Sequence, residues 1–337
     1  MQTLQNRRDF LASGSLAAAG AAGVLGPRAA LADEGPPETT AIRLSFTTAI
    51  CFAPFDLTEE LLRAEGFTDV QYVKAAGGFS APQMIARGDV DFGTSFGGTV
   101  VYHLDAGLPI TAVGGLHPGC YELFAHEPIR SIGDLKGRRV GIQTLASSGH
   151  LYLSIMARHV GLDPKEDIEW VVPSSGDAME LFAQGQTDAF LGFPPEPQEL
   201  RARRIGRVIL NTITDKPWSQ YLCCMVYGNR AWVRAHPIAT KRFLRAVFKA
   251  ADFCSTEPKK AAQLLVDGGF AQNYDYALQT IEEVPYQYWY EYDSEDSLRF
   301  YALRLHEVGM IRSSPRQLLA EGTDWRFVNE LKRELKV

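Results

Sequence analysis

Ile85-Ala86-Arg87-Gly88-Asp89-Val90-Asp91-Phe92 and Phe182-Ala183-Gln184-Gly185-Gln186-Thr187-Asp188-Ala189 are one short pattern written twice, 97 residues apart. In each copy a helical run meets a Gly, where a left-handed C-cap suits that residue, and an Asp then leads into an apolar strand. Eight residues can match by chance, but the shared helix–Gly–strand context predicts two bodies of similar build. Around the first copy, residues 42–47, 70–73, 90–92 and 110–113 read as strands. Helices are expected over 80–86 and 95–106, the second closed by Gly107, and Asp56-x-x-Glu59 reads as a capping-box variant opening another. Around the second copy, strands are expected at 139–142, 168–172, 188–191 and 207–210, with helices over 148–160 and 177–184. Strands separated by helices of this length mean βαβ units and mainly parallel sheets. The fold class expected is α/β: two lobes, each a mainly parallel sheet flanked by helices.

Two apolar extended segments, residues 121–125 and 221–227, fit neither set as ordinary βα units and read as two crossover connections between the lobes. Lobe I is then residues 40–124 plus 226–337, and lobe II residues 127–222. Beyond residue 229 the pattern is almost wholly helical, and those helices are expected to pack on lobe I. The run Tyr286-x-Tyr288-Trp289-Tyr290-x-Tyr292, ahead of a helix capped by Asp293, reads as packing against lobe I rather than as a ligand contact.

The 337 residues are 46% hydrophobic and 22% charged, enough for two packed lobes. The formal net charge of −6 offers no basic stripe for phosphate neutralisation, so nucleic acid is not an expected partner. Residues 1–32 read as an address. Arg7-Arg8 precede a mildly apolar Ala/Gly-rich run, and Ala30-Leu31-Ala32 supplies small residues for a signal peptidase. The bland alternative is an N-terminal amphipathic helix; the order of the three features favours a twin-arginine export signal and a periplasmic protein. No later apolar run approaches the ~20 residues of a membrane span. The five cysteines, Cys51, Cys120, Cys223, Cys224 and Cys254, are odd in number and irregularly spaced, and read as small buried hydrophobes. No Cys/His set has zinc-site spacing, and neither metal nor cofactor is expected.

Asp134-Leu135-Lys136-Gly137-Arg138-Arg139-Val140-Gly141-Ile142, Ser148 and His150 at a helix start, Gly161-Leu162 and Gly185-x-x-Asp188-Ala189 resemble lobe II of a known family. It comprises the periplasmic substrate-binding proteins for nitrate, sulfonates, taurine and thiamine precursors. Ala86-x-Gly88-x-Val90-Asp91-Phe92-Gly93 is similar to its lobe I signature, and Val308-Gly309-Met310-Ile311 fits the C-terminal part. The resemblance implies a type II periplasmic binding protein fold: a monomer that carries a small solute to an ABC permease in the inner membrane. Where the family often has Trp-x-Pro, this chain has Phe193-Pro194-Pro195-Glu196-Pro197, and the loop Thr48–Phe52 has no basic residue, which argues against a strongly anion-specific pocket.

Ligands of open α/β sheets bind at the carboxyl ends of strands. The loops expected to converge place Thr48, Cys51, Phe52, Phe79, Ser95, Phe96, Ser147, Ser148, His150, Phe193 and Glu196 at the ligand. Ser95 and Ser148 stand near expected helix starts, whose free N–H groups suit carboxylate, sulfonate or ring carbonyl oxygens; each is equally an ordinary N-cap. His150 serves either as a ligand contact or as a structural hydrogen-bonding group. Phe52, Phe79, Phe96 and Phe193 suit a ligand with a ring or apolar portion, or else seal the lobe interface. A sulfonate, a taurine-like solute or a heteroaromatic solute fits this set. Two enzyme readings compete. Gly93-Thr94-Ser95-Phe96-Gly97 is a literal G-x-S-x-G, the nucleophile elbow of a serine hydrolase, but His236 and His306 lie in helix-rich stretches rather than in loops after strands. Cys223-Cys224 resembles the cysteine-rich strand of a eukaryotic enzyme of the same fold that makes the thiamine pyrimidine. An export signal does not suit that role, and the pair reads as strand packing.

Overall fold

The computed structural model describes residues 34–75, 80–174 and 177–337; the expected export signal and Phe79 lie outside them. Ten strands among the described residues form two five-stranded sheets: β1 Ala41–Phe46, β2 Asp69–Lys74, β3 Phe92–Phe96, β4 Ile110–Pro118, β5 Glu122–Ala125, β6 Arg138–Gly141, β7 Ile168–Val171, β8 Ala189–Gly192, β9 Arg207–Asn211 and β10 Leu222–Asn229. Their orders are β2-β1-β3-β10-β4 and β7-β6-β8-β5-β9. The two orders are equivalent position by position, with one antiparallel strand, β10 or β5, in fourth place. The fold is the expected two-sheet α/β arrangement.

The expected connections are themselves strands. Residues 122–125 and 222–229 lie inside the second and first sheets, and the chain passes between sheets at 119–121 and again at 212–221. Seven of the eight residues of β10 are buried, and a run apolar on both faces suits a strand covered on both sides.

The repeated pattern has a physical basis. The backbone N–H of Arg43 donates to Asp91 Oδ2 at 2.7 Å, and that of Arg139 to Asp188 Oδ2 at 2.8 Å. Each guanidinium Nη2 reaches the other carboxylate oxygen, at 2.6 and 3.2 Å. Asn229 and His126, at the ends of the antiparallel strands, donate their N–H groups to the carbonyls of Asp91 and Asp188. Gly88 and Gly185 hold φ of +78° and +70°, the left-handed turn that each copy needs before its Asp.

Two local expectations fail. Ser95 does not open a helix: β3 runs to Phe96 and the helix is Gly97–Asp105. A Cβ on Gly97 would stand 2.8 Å from the Tyr301 ring, so the helix begins where the missing side chain lets that ring approach. Asp56 does not cap a helix either. It ends the short helix Ala53–Asp56, buried, and Glu59–Ala64 follows Thr58, whose hydroxyl turns back to the Phe55 carbonyl. The helices after Asn229 cover the first sheet: Phe243 stacks on Phe92 at 4.1 Å and packs edge-on against Phe55. Tyr286 and Trp289 are buried, and the Tyr286 hydroxyl donates to the Cys51 carbonyl. Asp293 caps Ser294–Glu307 as expected.

Candidate functional site

A cavity of about 290 Å³ lies between the carboxyl ends of the two sheets. The turn after β1 supplies Thr48, Cys51 and Phe52; the end of β3 supplies Ser95 and Phe96. From the second sheet come Ser148, in the first turn of Ser148–His159, and Phe193 and Glu196 beyond β8. Eight of the eleven expected residues therefore meet at one cavity. Across its edge the Ile50 N–H donates to the Pro194 carbonyl at 3.3 Å, joining the loop of one sheet to the loop of the other.

Ser147 and His150 are not among the lining residues. Ser147 is the N-cap of Ser148–His159, its hydroxyl oxygen buried and without a partner. His150 Nδ1 accepts the Ala146 N–H at 2.9 Å, and its ring meets Trp170 edge-on at 4.7 Å. Desolvation lowers its pKa to about 4, so it is a neutral structural acceptor at pH 7.

Sequence reasoning missed Thr47, Ala49, Tyr121, Pro195 and Cys224 in the cavity wall. Tyr121 stands in the passage between sheets, and no local pattern marked it as anything but a connection. Phe96 is 1% exposed and stacks on Tyr152 at 4.4 Å, with Tyr121 and Tyr301 at its edges. It thus packs into the junction of the sheets while also lining the cavity. Tyr121 in turn meets Phe193 at 5.5 Å.

The walls are aromatic and hydroxylic. Among the described residues neither Lys nor Arg lines the cavity, and the one carboxyl there is Glu196. Burial pushes that carboxyl up to about 8, against the opposing N–H of Phe193 and amide of Gln143 and with added repulsion from Asp177 and Glu199. At pH 7 it is largely protonated and can donate a hydrogen bond into the cavity. A second buried carboxyl, Glu122 of β5, lies outside the cavity lining. Arg201 pairs with Glu122 of β5 at 2.6 Å and with Glu283 of the helix Tyr274–Glu283 at 2.7 Å. Burial outweighs the arginine and raises Glu122 to about 7.

Ser95 does not assemble a hydrolytic site. Its backbone pairs with Met225, no histidine among the described residues lines the cavity, and His236 Nδ1 is held at the Trp232 carbonyl. All five cysteines are buried, and four of the thiols are held above their ordinary value by loss of hydration. The fifth, Cys120, rises to about 11 for the same reason.

Residues 63–261, more than half of the chain, match the family model described as NMT1/THI5 like. The chain belongs to the NMT1/THI5-like family. The 4-amino-5-hydroxymethyl-2-methylpyrimidine phosphate synthase of Candida albicans (strain WO-1) is 22% identical over 231 residues, 62% of this chain and 66% of that relative. The chain thus spans just under two thirds of that relative's length. Two solved structures share the fold of this NMT1/THI5-like chain. The alkanesulfonate-binding protein SsuA from Xanthomonas axonopodis pv. citri, bound to MOPS, is 18% identical with a TM-score of 0.70, over 86% of this chain and 99% of that one. The periplasmic nitrate-binding protein NrtA from Synechocystis PCC 6803 is 16% identical with a TM-score of 0.75, over 90% and 91%. The NMT1/THI5-like chain has the periplasmic binding protein fold of sulfonate- and nitrate-type ABC transporters, and among its described residues no helix is long and apolar enough to cross a membrane.

Proposed function

We propose that this protein is the solute-binding component of an ABC importer. It is exported by the twin-arginine signal of residues 1–32, acts in the periplasm as a monomer, and delivers its solute to an inner-membrane permease. The observation that carries the reading is the cavity between the two sheets, with aromatic and hydroxyl groups and no fixed positive charge. The two lobes follow the two sheets, with β5 (122–125) joining the lobe of residues 127–211 and β10 (222–229) joining that of residues 40–118 and 230–337, and a solute touching both favours the closed state by its differential affinity. At the small end of solute sites, which start at roughly 300 Å³, the cavity suits a compact ring. Phe52 and Phe193 cover the faces of such a ring, while Ser95, Ser148, Thr48 and the protonated Glu196 serve its heteroatoms. A heteroaromatic solute of the pyrimidine class fits these groups better than a free sulfonate or taurine, whose charge meets no cation here. The relatives named as pyrimidine phosphate synthases support a pyrimidine-like ring as the shared shape.

Calorimetry against pyrimidines, small aromatic acids, sulfonates and taurine tests the reading. Stoichiometric binding of a pyrimidine-class ring near ~1 µM, about −8 kcal/mol, is expected. Compaction in small-angle scattering and no product after prolonged incubation should accompany it. Preference for a sulfonate over every ring would overturn the solute class, and turnover would overturn the transport role.

A further inference from the structure

Cys51, His117, Cys120 and Cys224 come from four places in the chain: the turn after β1, the end of β4, the passage to the second sheet, and β10. One ligand-type atom from each lies within 4.8 Å of all the others, and all four residues are buried. In a tetrahedral thiolate site with metal–sulfur bonds of about 2.3 Å the sulfurs stand roughly 3.8 Å apart, so the four are within about an ångström of ligating spacing. A second observation is independent of the cysteines. His117 is fully buried, its Nε2 has no hydrogen-bond partner, and its Nδ1 lies 3.1 Å from the Pro118 carbonyl oxygen. A carbonyl at Nδ1 selects the tautomer with its proton there and leaves the Nε2 lone pair free, the arrangement that metal-bound histidines use.

We propose that the Sγ atoms of Cys51, Cys120 and Cys224 and the Nε2 of His117 bind one thiophilic d¹⁰ cation, Zn²⁺ or Cu⁺, beneath the floor of the solute cavity. Three sulfurs and an imidazole, with no carboxylate among them, select such ions over Mg²⁺ or Ca²⁺. Each thiol releases its S–H proton to solvent as its sulfur bonds the metal. Cys51 and Cys224 also line the cavity, which supplies the entry path. Because Cys120 lies in the passage between the sheets and His117 just before it, the ion ties the loop after β1 and the start of β10 to that passage. Cys223 Sγ, 3.8 Å from Cys120 Sγ and 3.7 Å from Cys224 Sγ, stands outside the four. Its rival chemistry is a Cys120–Cys223 disulfide. The proposal does not depend on the identity, or the existence, of an organic solute.

The test uses the full chain, reduced and anaerobic, exposed separately to Zn²⁺, Cu⁺ and Co²⁺ and then desalted. Retention of about one equivalent of Zn²⁺ or Cu⁺, with a higher melting temperature, is expected, and competition between the two shows which is preferred. Co²⁺ should give the intense thiolate-to-metal absorption of a sulfur-rich tetrahedral site. Cys120→Ser and His117→Gln should weaken retention by about tenfold or more, whereas Cys254→Ser, a buried thiol outside the cluster, should keep the full equivalent. The cobalt spectrum of the unmutated protein remains decisive where a cluster variant does not fold. The proposal is overturned by retention below about a tenth of an equivalent or by a cobalt spectrum of oxygen ligation. Equal loss in Cys254→Ser, or a Cys120–Cys223 disulfide in the protein as isolated, would overturn it too.

Discussion

The Arg43–Asp91 and Arg139–Asp188 clamps are one device in two settings. In both, a carboxylate accepts the N–H and the guanidinium of an arginine on the neighbouring parallel strand, and its backbone closes the ladder in both directions. The Asp91 side chain is 4% exposed and that of Asp188 28%. The cause is cover. The helices after Asn229 close over the first sheet, with Trp232 and Phe243 both against Phe92. The second sheet carries a small cluster of its own around Phe124, Phe182, Phe190 and Leu200. Repetition thus preserved the hydrogen-bond geometry, while the surrounding helices set how much each clamp is worth.

The comparison breaks most readily at Asp91. Asp91→Ala strips a buried arrangement of its acceptor and should destabilise the protein by roughly 3 kcal/mol, read from the urea midpoint. Asp188→Ala, in a wetter site, should cost roughly 1 kcal/mol. Equal losses would mean that burial does not distinguish the two clamps.

A smaller effect concerns the cavity walls. The second-sheet wall contributes Glu196, whereas the first-sheet wall contributes no ionisable carboxyl. Between its unfolded pKa of ~4.3 and about 8, the folded protein holds a proton on Glu196 that the unfolded chain has lost. This group's contribution to stability therefore falls as pH rises through that window. Glu196→Gln cannot ionise, so its melting temperature should fall less than the parent's between about pH 5 and 8.5. A parallel decline in both proteins would move the titrating group elsewhere, with buried Asp56 and Glu122 the next to examine, since burial raises both.

Much of the site was legible because sheet ends and their loops follow from local pattern. Thr48, Phe52, Ser148, Phe193 and Glu196 are each a few residues beyond a recognisable strand, Ser95 is at the carboxyl end of one, and in parallel sheets such positions converge. His150 was ambiguous because a histidine one turn into a helix can face the ligand or its own N-terminal loop, and the Ala146 N–H decided it. Asp56 looked like a cap because its spacing to Glu59 is correct. Only the packing of Phe55 against Phe243 shows why the residue beside it is drawn inside.

From the chain alone come the alternation of strands and helices, the doubled Gly-x-x-Asp motif and hence two similar parallel sheets. These are properties of near neighbours, readable from periodicity and backbone preference. Tertiary structure decided that β5 and β10 run antiparallel inside the sheets, that Tyr121 and Cys224 line the cavity, and that Cys51, His117, Cys120 and Cys224 meet. Those outcomes join residues up to 173 positions apart, from Cys51 to Cys224. They depend on which surfaces bury one another, and no local pattern encodes that.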